Sequence, residues 1–259
     1  MNRISTLFQE KKGKVLSIYF TAGFPELEDT LTVLESLQEA GADLVEIGMP
    51  FSDPLADGPT IQASGQQALQ NGMSLKKLME QLAHCRPKIQ LPILLMGYTN
   101  PILQYGFESF LRDCQQVGVD GLILPDLPLP LYKEKYKALF AQYGLANILL
   151  VTPETSEQRM KQINALCSGF IYAVSSSSTT GSDKDWSRQE AYFKRLEGYQ
   201  LDHPILTGFG VKDNASFQAA SKHTRGAIIG TAFIKTLQEP GDLQTNIHRF
   251  IKSIKPEAE

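Results

Sequence analysis

One glutamate stands inside an otherwise apolar run, Leu44-Val-Glu46-Ile-Gly48. A carboxylate there is costly to bury unless it is protonated, paired or used in chemistry. A buried cation or backbone donor could pair it, yet no Arg or Lys lies within a neighbouring apolar run. The residues that follow, Met49-Pro-Phe-Ser-Asp53-Pro-Leu-Ala-Asp57-Gly-Pro59, form a loop stiffened by three prolines and a glycine and bearing two more carboxylates. Alone, Asp53 or Asp57 is more often a helix N-cap than a catalyst. Beside Glu46 they become a cluster of acids suited to proton transfer.

A second constellation lies in the last third of the chain. Ser175-Ser-Ser-Ser-Thr-Thr180-Gly181-Ser182, Gly208-Phe209-Gly210 and Gly230-Thr231 each follow a short apolar run. Glycines that only turn the chain would account for any one of these. Together, their backbone N–H groups and hydroxyls suit an anion cradle that needs no basic side chain. No GxGxxG or Walker pattern occurs, which disfavours a dinucleotide or a nucleoside triphosphate. The four histidines, His84, His203, His223 and His248, are not spaced for a catalytic metal and read as surface or structural. No lysine is expected inside the core at the end of such a run, which disfavours Schiff-base chemistry. Carboxylates are left to move protons on a phosphorylated substrate. Paired acids also suit a glycosidase, but that chemistry does not need a phosphate cradle.

These residues must be positioned by a repeating scaffold. "LQEAGADLVEIG" recurs as "CQQVGVDGLILP" and "FAQYGLANILLV", and more loosely as "LCSGFIYAVS" and "HTRGAIIGTA". In each, a helical stretch ends at Gly41, Gly118, Gly144, Gly169 or Gly226, as a left-handed helix terminus requires. The β-rich runs lack polar alternation, as parallel strands covered on both faces do. Eight are present: LSIYFT, DLVEIG, PILLMGY, DGLILP, NILLV, FIYAVS, PILTG and GAIIGT. Helix-period segments such as Leu27, Leu31, Leu34 and Leu37 lie between them. Eight β–α units in 259 residues predict a closed (β/α)₈ (TIM) barrel, a single domain over 1–259. Ile4, Leu7 and Phe8 predict a short N-terminal capping helix. In such a barrel the chemistry sits just after each strand, where Glu46, Asp57 and the glycine loops fall.

Composition narrows the partners. Net charge is −3, so there is no broad basic field for nucleic acid or an anionic membrane. Lys11, Lys12 and Lys14 read as a solvated loop, and residues 255–259 as a frayed tail. No run reaches the ~18 apolar residues of a membrane span, and the N-terminus lacks a signal peptide's apolar core. Cys85, Cys114 and Cys167 form no CxxC and read as reduced, packed thiols, as in a cytoplasmic protein.

The stretch VEIGMPFSDPLADGPTIQ, residues 45–62, closely resembles the tryptophan synthase alpha subunit family. The likeness extends along the chain through Phe20-Thr-Ala-Gly-Phe-Pro25, Met96 to Asn100 with Pro101, Gly208-Phe-Gly-Val211 and the end of the eighth run. It implies the same barrel, and cleavage of indole-3-glycerol phosphate to indole and glyceraldehyde 3-phosphate. It makes Glu46 and Asp57 the catalytic acids. The resemblance likewise implies that Gly181, Gly210, Gly230 and Thr231 hold the phosphate, with Phe209 beside the ligand. Tyr19, Tyr98 and Tyr172 match aromatic positions around the indole, and Thr180 with Gly181 closes over the site. Asp53 falls in the contact with a beta subunit, in an alpha2beta2 assembly whose pyridoxal phosphate belongs to that partner; no cofactor is expected in this chain. One departure is Ser178-Thr179 where the family usually has Gly-Val, which should stiffen that loop. A free-standing lyase and a non-catalytic regulatory barrel are the competing readings; the intact Glu46 and Asp57 disfavour the second. The 45–62 motif disfavours a neighbouring phosphate-binding barrel enzyme.

Overall fold

The computed structural model describes residues 2–174, 186–208 and 210–256, and only the backbone of 186–190. Eight parallel strands close into a barrel in chain order, each hydrogen-bonded to the next and the eighth to the first. They are β1 (Val15–Thr21), β2 (Leu44–Gly48), β3 (Ile93–Met96), β4 (Gly121–Ile123), β5 (Ala146–Val151), β6 (Ile171–Val174), β7 (Ile205–Gly208) and β8 (Gly226–Ile229). All eight expected runs are strands. The first helix is α1 (Arg3–Glu10), and α2 (Asp29–Glu39) joins β1 to β2.

The connections after β2, β3 and β4 hold more than one helix each. α3 (Pro59–Gln70) and α4 (Leu75–Leu82) follow β2, and α5 (Thr99–Tyr105) and α6 (Phe107–Val117) follow β3. Each break has a local cause: Gly72 (φ 94°) and Gly106 (φ 96°) take left-handed conformations, and the Ser74 hydroxyl then caps α4. After β4 come α7 (Leu129–Leu131), a π turn and α8 (Lys137–Gln142); after β5, α9 (Glu157–Leu166); before β7, α10 (Trp186–Gly198). α11 (Asn214–Ser221) precedes β8, and α12 (Thr231–Leu237) and α13 (Leu243–Ile254) follow it.

Gly41, Gly118, Gly144 and Gly169 have positive φ, as their place after a helix requires. Gly226 does not: it is the first residue of β8, where an added Cβ would come within 2.7 Å of the Val15 backbone. That glycine is set by the close approach of β8 to β1 and not by a helix terminus.

Alternation along each strand separates two cores. Leu16, Ile18, Val45 and Ile47 pack outward against the helices, whereas Val15, Leu44, Leu94, Ile148, Phe170 and Leu206 fill the barrel. Ile4, Leu7 and Phe8 of α1 join the inner cluster, with the Phe8 and Phe170 rings 5.9 Å apart. The capping helix therefore plugs the end of the barrel where the strands begin. Asn2 caps it by accepting from the Ile4 N–H at 2.9 Å, and Arg3 reaches Asp120 at 3.1 Å.

Two segments expected to be loose are pinned at this face. Lys11 pairs with Asp43 at 2.7 Å, and Lys14 donates to the Thr224 carbonyl at 2.8 Å. Lys255 also bonds Asp43, so the chain is docked at least that far, while residues 257–259 lie outside the described residues. The reason is long-range pairing, which a local polar sequence does not reveal.

Candidate active site

Tyr19 and Glu46 are register partners on β1 and β2, and both side chains enter the barrel. Glu46 is fully buried. Its Oε1 accepts from the Ser17 hydroxyl at 2.8 Å, and its Oε2 has no hydrogen-bond partner. No cation pairs with it among the described residues. Burial pushes its carboxyl up to about 8, with the Ser17 hydrogen bond pulling the other way. The possibility that Glu46 serves a buried ion pair therefore fails, and an acid that is protonated at neutral pH remains.

Two phenols stand near it. The Tyr19 ring lies where a Gly48 side chain would be: a Cβ there would meet its Cζ at 2.6 Å. Tyr172 occupies the corresponding space over Gly208 at the end of β7. These two glycines, each at a strand end, admit the rings; their role had no signal in the sequence beyond their position. Burial, then the nearby Glu46, raises the Tyr172 phenol well above its usual range. Burial, then Asp57, does the same to Tyr19.

Asp57 reaches the site from the loop after β2. It caps no helix, because Gly58 is the N-cap of α3 and Pro59 its first residue. Instead the half-buried Asp57 carboxylate accepts from the Tyr98 hydroxyl at 3.2 Å, and that hydroxyl accepts from the Ala56 N–H at 3.0 Å. Burial raises the Asp57 carboxyl and the Tyr98 hydrogen bond opposes the rise. Tyr98 itself is pushed up to about 12, by burial first and then by Asp57. Phe51 packs on Tyr98 with ring centroids 5.4 Å apart, which ties the loop to the end of β3. Asp53 points elsewhere: it is exposed, bonded by Ser52, and lines no part of the site.

A cavity of about 710 Å³ opens at the strand ends, lined among others by Tyr19, Asp57, Tyr172, Gly210, Gly230 and Thr231. It touches a recess of about 50 Å³ that Tyr98 helps to line. Glu46 lines neither. Six residues expected from the sequence thus share one cavity, Tyr98 adjoins it, and Glu46 is buried near Tyr19 and Tyr172. Thr180, Gly181 and Phe209, with Ser178 and Thr179, lie outside the described residues. None of the four histidines lines the cavity. Two residues to which the sequence assigns no role do line it, Lys212 after β7 and Lys235 in α12. Their one signal is spacing: Lys212 stands two residues after Gly210, and Lys235 one helical turn after Thr231.

The site sits on a chain with many relatives. The family profile described as "Tryptophan synthase alpha chain" matches residues 5–258. The tryptophan synthase alpha chain of Christiangramia forsetii is 53% identical over 98% of this chain and 99% of its own length. That of Flavobacterium johnsoniae is 50% identical over 98% of this chain and all of its own. The crystal structure of tryptophan synthase subunit alpha from Legionella pneumophila superposes with a TM-score of 0.90 at 31% identity, covering 99% of this chain and 98% of that one. A crystal structure of tryptophan synthase from M. tuberculosis, in its aminoacrylate-bound form, matches with a TM-score of 0.86 at 26% identity over 98% of both chains. A buried acid, a second acid on the loop after the same strand, and this agreement over nearly the full length lead to one conclusion: the chain belongs to the tryptophan synthase alpha chain family.

Proposed function

We propose that Glu46 and Asp57 carry out in this chain the reaction of its family, the lyase cleavage of indole-3-glycerol phosphate to indole and glyceraldehyde 3-phosphate. The observation that carries the reading is the Glu46 carboxyl, fully buried, held by one hydroxyl and pushed up to about 8. It holds a proton at neutral pH, as a general acid must. Glu46 gives that proton to indole C3, and the ring becomes an indolenine cation. The bond from C3 to the glycerol carbon then breaks, and its electron pair returns to the ring. The glycerol hydroxyl yields its proton to the Glu46 carboxylate and becomes the aldehyde, which restores the acid. Because Glu46 does not line the cavity, its side chain turns toward C3 once substrate is seated; the unpartnered Oε2 leaves little to hold it back.

Asp57, ionised, accepts the indole N–H and stabilises the cation as it forms. Tyr19, Tyr98 and Tyr172 wall the ring. Gly210, Gly230 and Thr231, with Gly181, receive the phosphate, while Thr180 and Phe209 complete the site. The whole chain forms one barrel domain. Indole passes to a beta subunit that carries pyridoxal phosphate, within an alpha2beta2 assembly. The loop bearing Asp53 suits that contact, because it presents Leu55 92% exposed. Buried free thiols at Cys85, Cys114 and Cys167 suit a reducing cytoplasm.

The test is indole release from indole-3-glycerol phosphate, with and without a beta subunit. Slow cleavage that accelerates with the partner supports the assembly; fast cleavage indifferent to it favours a free-standing lyase. Glu46→Gln should abolish turnover while substrate still binds, and near-normal turnover in that variant would overturn the acid assignment.

A further inference from the structure

The ionisable groups lining the 710 Å³ cavity are distributed unevenly. Among the described residues they are Tyr19, Asp57, Tyr172, Lys212 and Lys235: one carboxylate, two ammonium groups and two phenols. Asp57 enters from the loop after β2, next to the phenols of Tyr19 and Tyr98. Both lysines come from the segments after β7 and β8, where Gly210, Gly230 and Thr231 also line the wall. The two lysines thus share their segments with Gly210, Gly230 and Thr231, and the cavity's one carboxylate comes from a separate loop.

Each lysine is held where it is by its own element. The Lys212 N–H donates to the Ser216 hydroxyl at 2.9 Å, and Ser216 is locked in a capping box with Asp213 at the start of α11. The stem of Lys212 therefore leaves a fixed turn, two residues beyond Gly210 (φ 76°). Lys235 lies on the face of α12 that carries Thr231, one turn later. Side chains on a helix lean toward its N-terminal end, so Lys235 leans toward Gly230 and Thr231. α12 is anchored from behind by fully buried Phe233 and Ile234, with Phe233 packed on Phe250 at 5.6 Å.

Neither ammonium has an ion-pair or hydrogen-bond partner among the described residues. Elsewhere Lys11, Lys77, Lys88, Lys161 and Lys255 all meet carboxylates. Two unneutralised cations beside Gly210, Gly230 and Thr231, with the single carboxylate on a separate loop, suit a ligand that is anionic at one end.

We propose that Lys212 and Lys235 form the cationic end of this cavity and, by engaging the substrate's phosphate, fix the direction in which the substrate lies. The inference rests on the function proposed above and adds to it a source of charge that the glycine loops do not provide. With phosphate at the lysines, the indole ring falls toward Asp57, where its developing positive charge is stabilised. The reversed pose sets the phosphate against Asp57, two like charges in a partly desolvated site. Both ammonium groups are exposed, so the attraction is screened by salt and acts within about a Debye length, ~10 Å at 0.1 M.

The experiment uses the full chain and four variants: Lys212→Met, Lys235→Met, the double Met variant and the double Arg variant. A Lys252→Met variant controls for loss of a remote charge. Two probes are measured, indole-3-glycerol phosphate by steady-state cleavage and inorganic phosphate by calorimetric binding, each at 20 and 200 mM salt. The expected result is a KM raised about fivefold in each single Met variant and at least tenfold in the double, with phosphate affinity falling in parallel. The double Arg variant should remain within about threefold of wild type, since charge and not ammonium shape is required. The fall in kcat/KM between the two salt concentrations should flatten in the double Met variant alone. A role in packing alone would lower thermal stability and leave that salt slope intact. KM and phosphate affinity both within twofold of wild type in the double Met variant would overturn the assignment. If wild type binds phosphate but cleaves nothing, while the double Met variant loses phosphate, the cationic end stands and the lyase reading falls.

Discussion

Replacing Glu46 by Gln tests the electrostatics of the site apart from its chemistry. Burial raises the carboxyl from 4.5, its ordinary value, to about 8 in the folded chain. Between those values the unfolded chain has lost the proton and the folded chain keeps it. Folding therefore takes up a proton, and stability falls as pH rises through that window, by about 1.4 kcal/mol per pH unit. Over the whole window the stability lost is on the order of 5 kcal/mol: none of it is lost below pH 4.5 and all of it above about pH 8. The amide of the Glu46→Gln variant does not titrate, and the slope disappears with the carboxyl. The amide oxygen can still accept from Ser17, but the NH₂ group falls where Oε2 has no partner, a pH-independent penalty of about 1–3 kcal/mol.

The two stability curves should therefore cross. The Gln variant should be the less stable near pH 5 and the more stable near pH 8. The assay is urea unfolding of both proteins at pH 5.5, 6.5 and 7.5, reading the difference between them so that other titrating groups cancel. A change in that difference of about 2.5 kcal/mol from the lowest pH to the highest is expected. A difference that stays constant within about 0.5 kcal/mol would refute the reasoning, for it would mean that Glu46 ionises in the folded chain as it does in water. The catalytic counterpart is a kcat/KM that declines above about pH 8 in wild type, as the acid loses its proton before substrate arrives.

Three further outcomes are expected. Gly48→Ala puts a Cβ within 2.6 Å of the Tyr19 ring, so thermal unfolding should show a loss of about 1–3 kcal/mol and indole release should fall at least tenfold. Tyr98→Phe removes the donor to Asp57 and the acceptor for the Ala56 N–H, about 1 kcal/mol apiece; because that bond holds the Asp57 carboxyl down, the acid limb of the pH–rate profile should move to higher pH. Asp120→Asn leaves the mostly buried Arg86 guanidinium without its carboxylate and should cost about 3–5 kcal/mol in urea unfolding, while KM for the substrate at low temperature stays unchanged.

Glu46 was legible in the sequence because a charge interrupts an apolar run, and the strands because each run is short, apolar on both faces and bounded by turn residues. The helices were legible as a period but not as a number: the turns at Gly72 and Gly106 split what reads as one crossover into two. Asp57 was legible as one acid in a cluster, yet spacing alone could not separate it from Asp53. What separates them is Tyr98, 41 residues away, which meets the loop only after β2 and β3 pair in register. Lys212 and Lys235 were hidden for a different reason. A lysine fit for covalent chemistry stands out in sequence as a charge within an apolar run, whereas these two are exposed and act by charge at the rim. Lys255 resembles part of a loose tail because its partner, Asp43, lies 212 residues earlier.

β2 shows why long-range pairing decides the role of an acid in this fold. Asp43 precedes the strand and Glu46 lies three residues later, both in apolar surroundings by sequence. Asp43 is met by Lys11, by Lys255 and by the Leu16 N–H, and the same end of the barrel brings Arg3 and Arg86 to Asp120. Each of those carboxylates exchanges water for cations and N–H groups, so its charge can persist there and clamp neighbouring strands together. Glu46 exchanges water for a single hydroxyl, and its charge cannot persist at the same free energy. The proton it keeps is the consequence, and that proton is what the cleavage needs. Supplying a cation near Glu46 would stabilise its carboxylate and so remove the acid. By the same reasoning, the lysines of the cavity belong where they are found, on the segments after β7 and β8, where they can meet an anion without drawing the proton from β2.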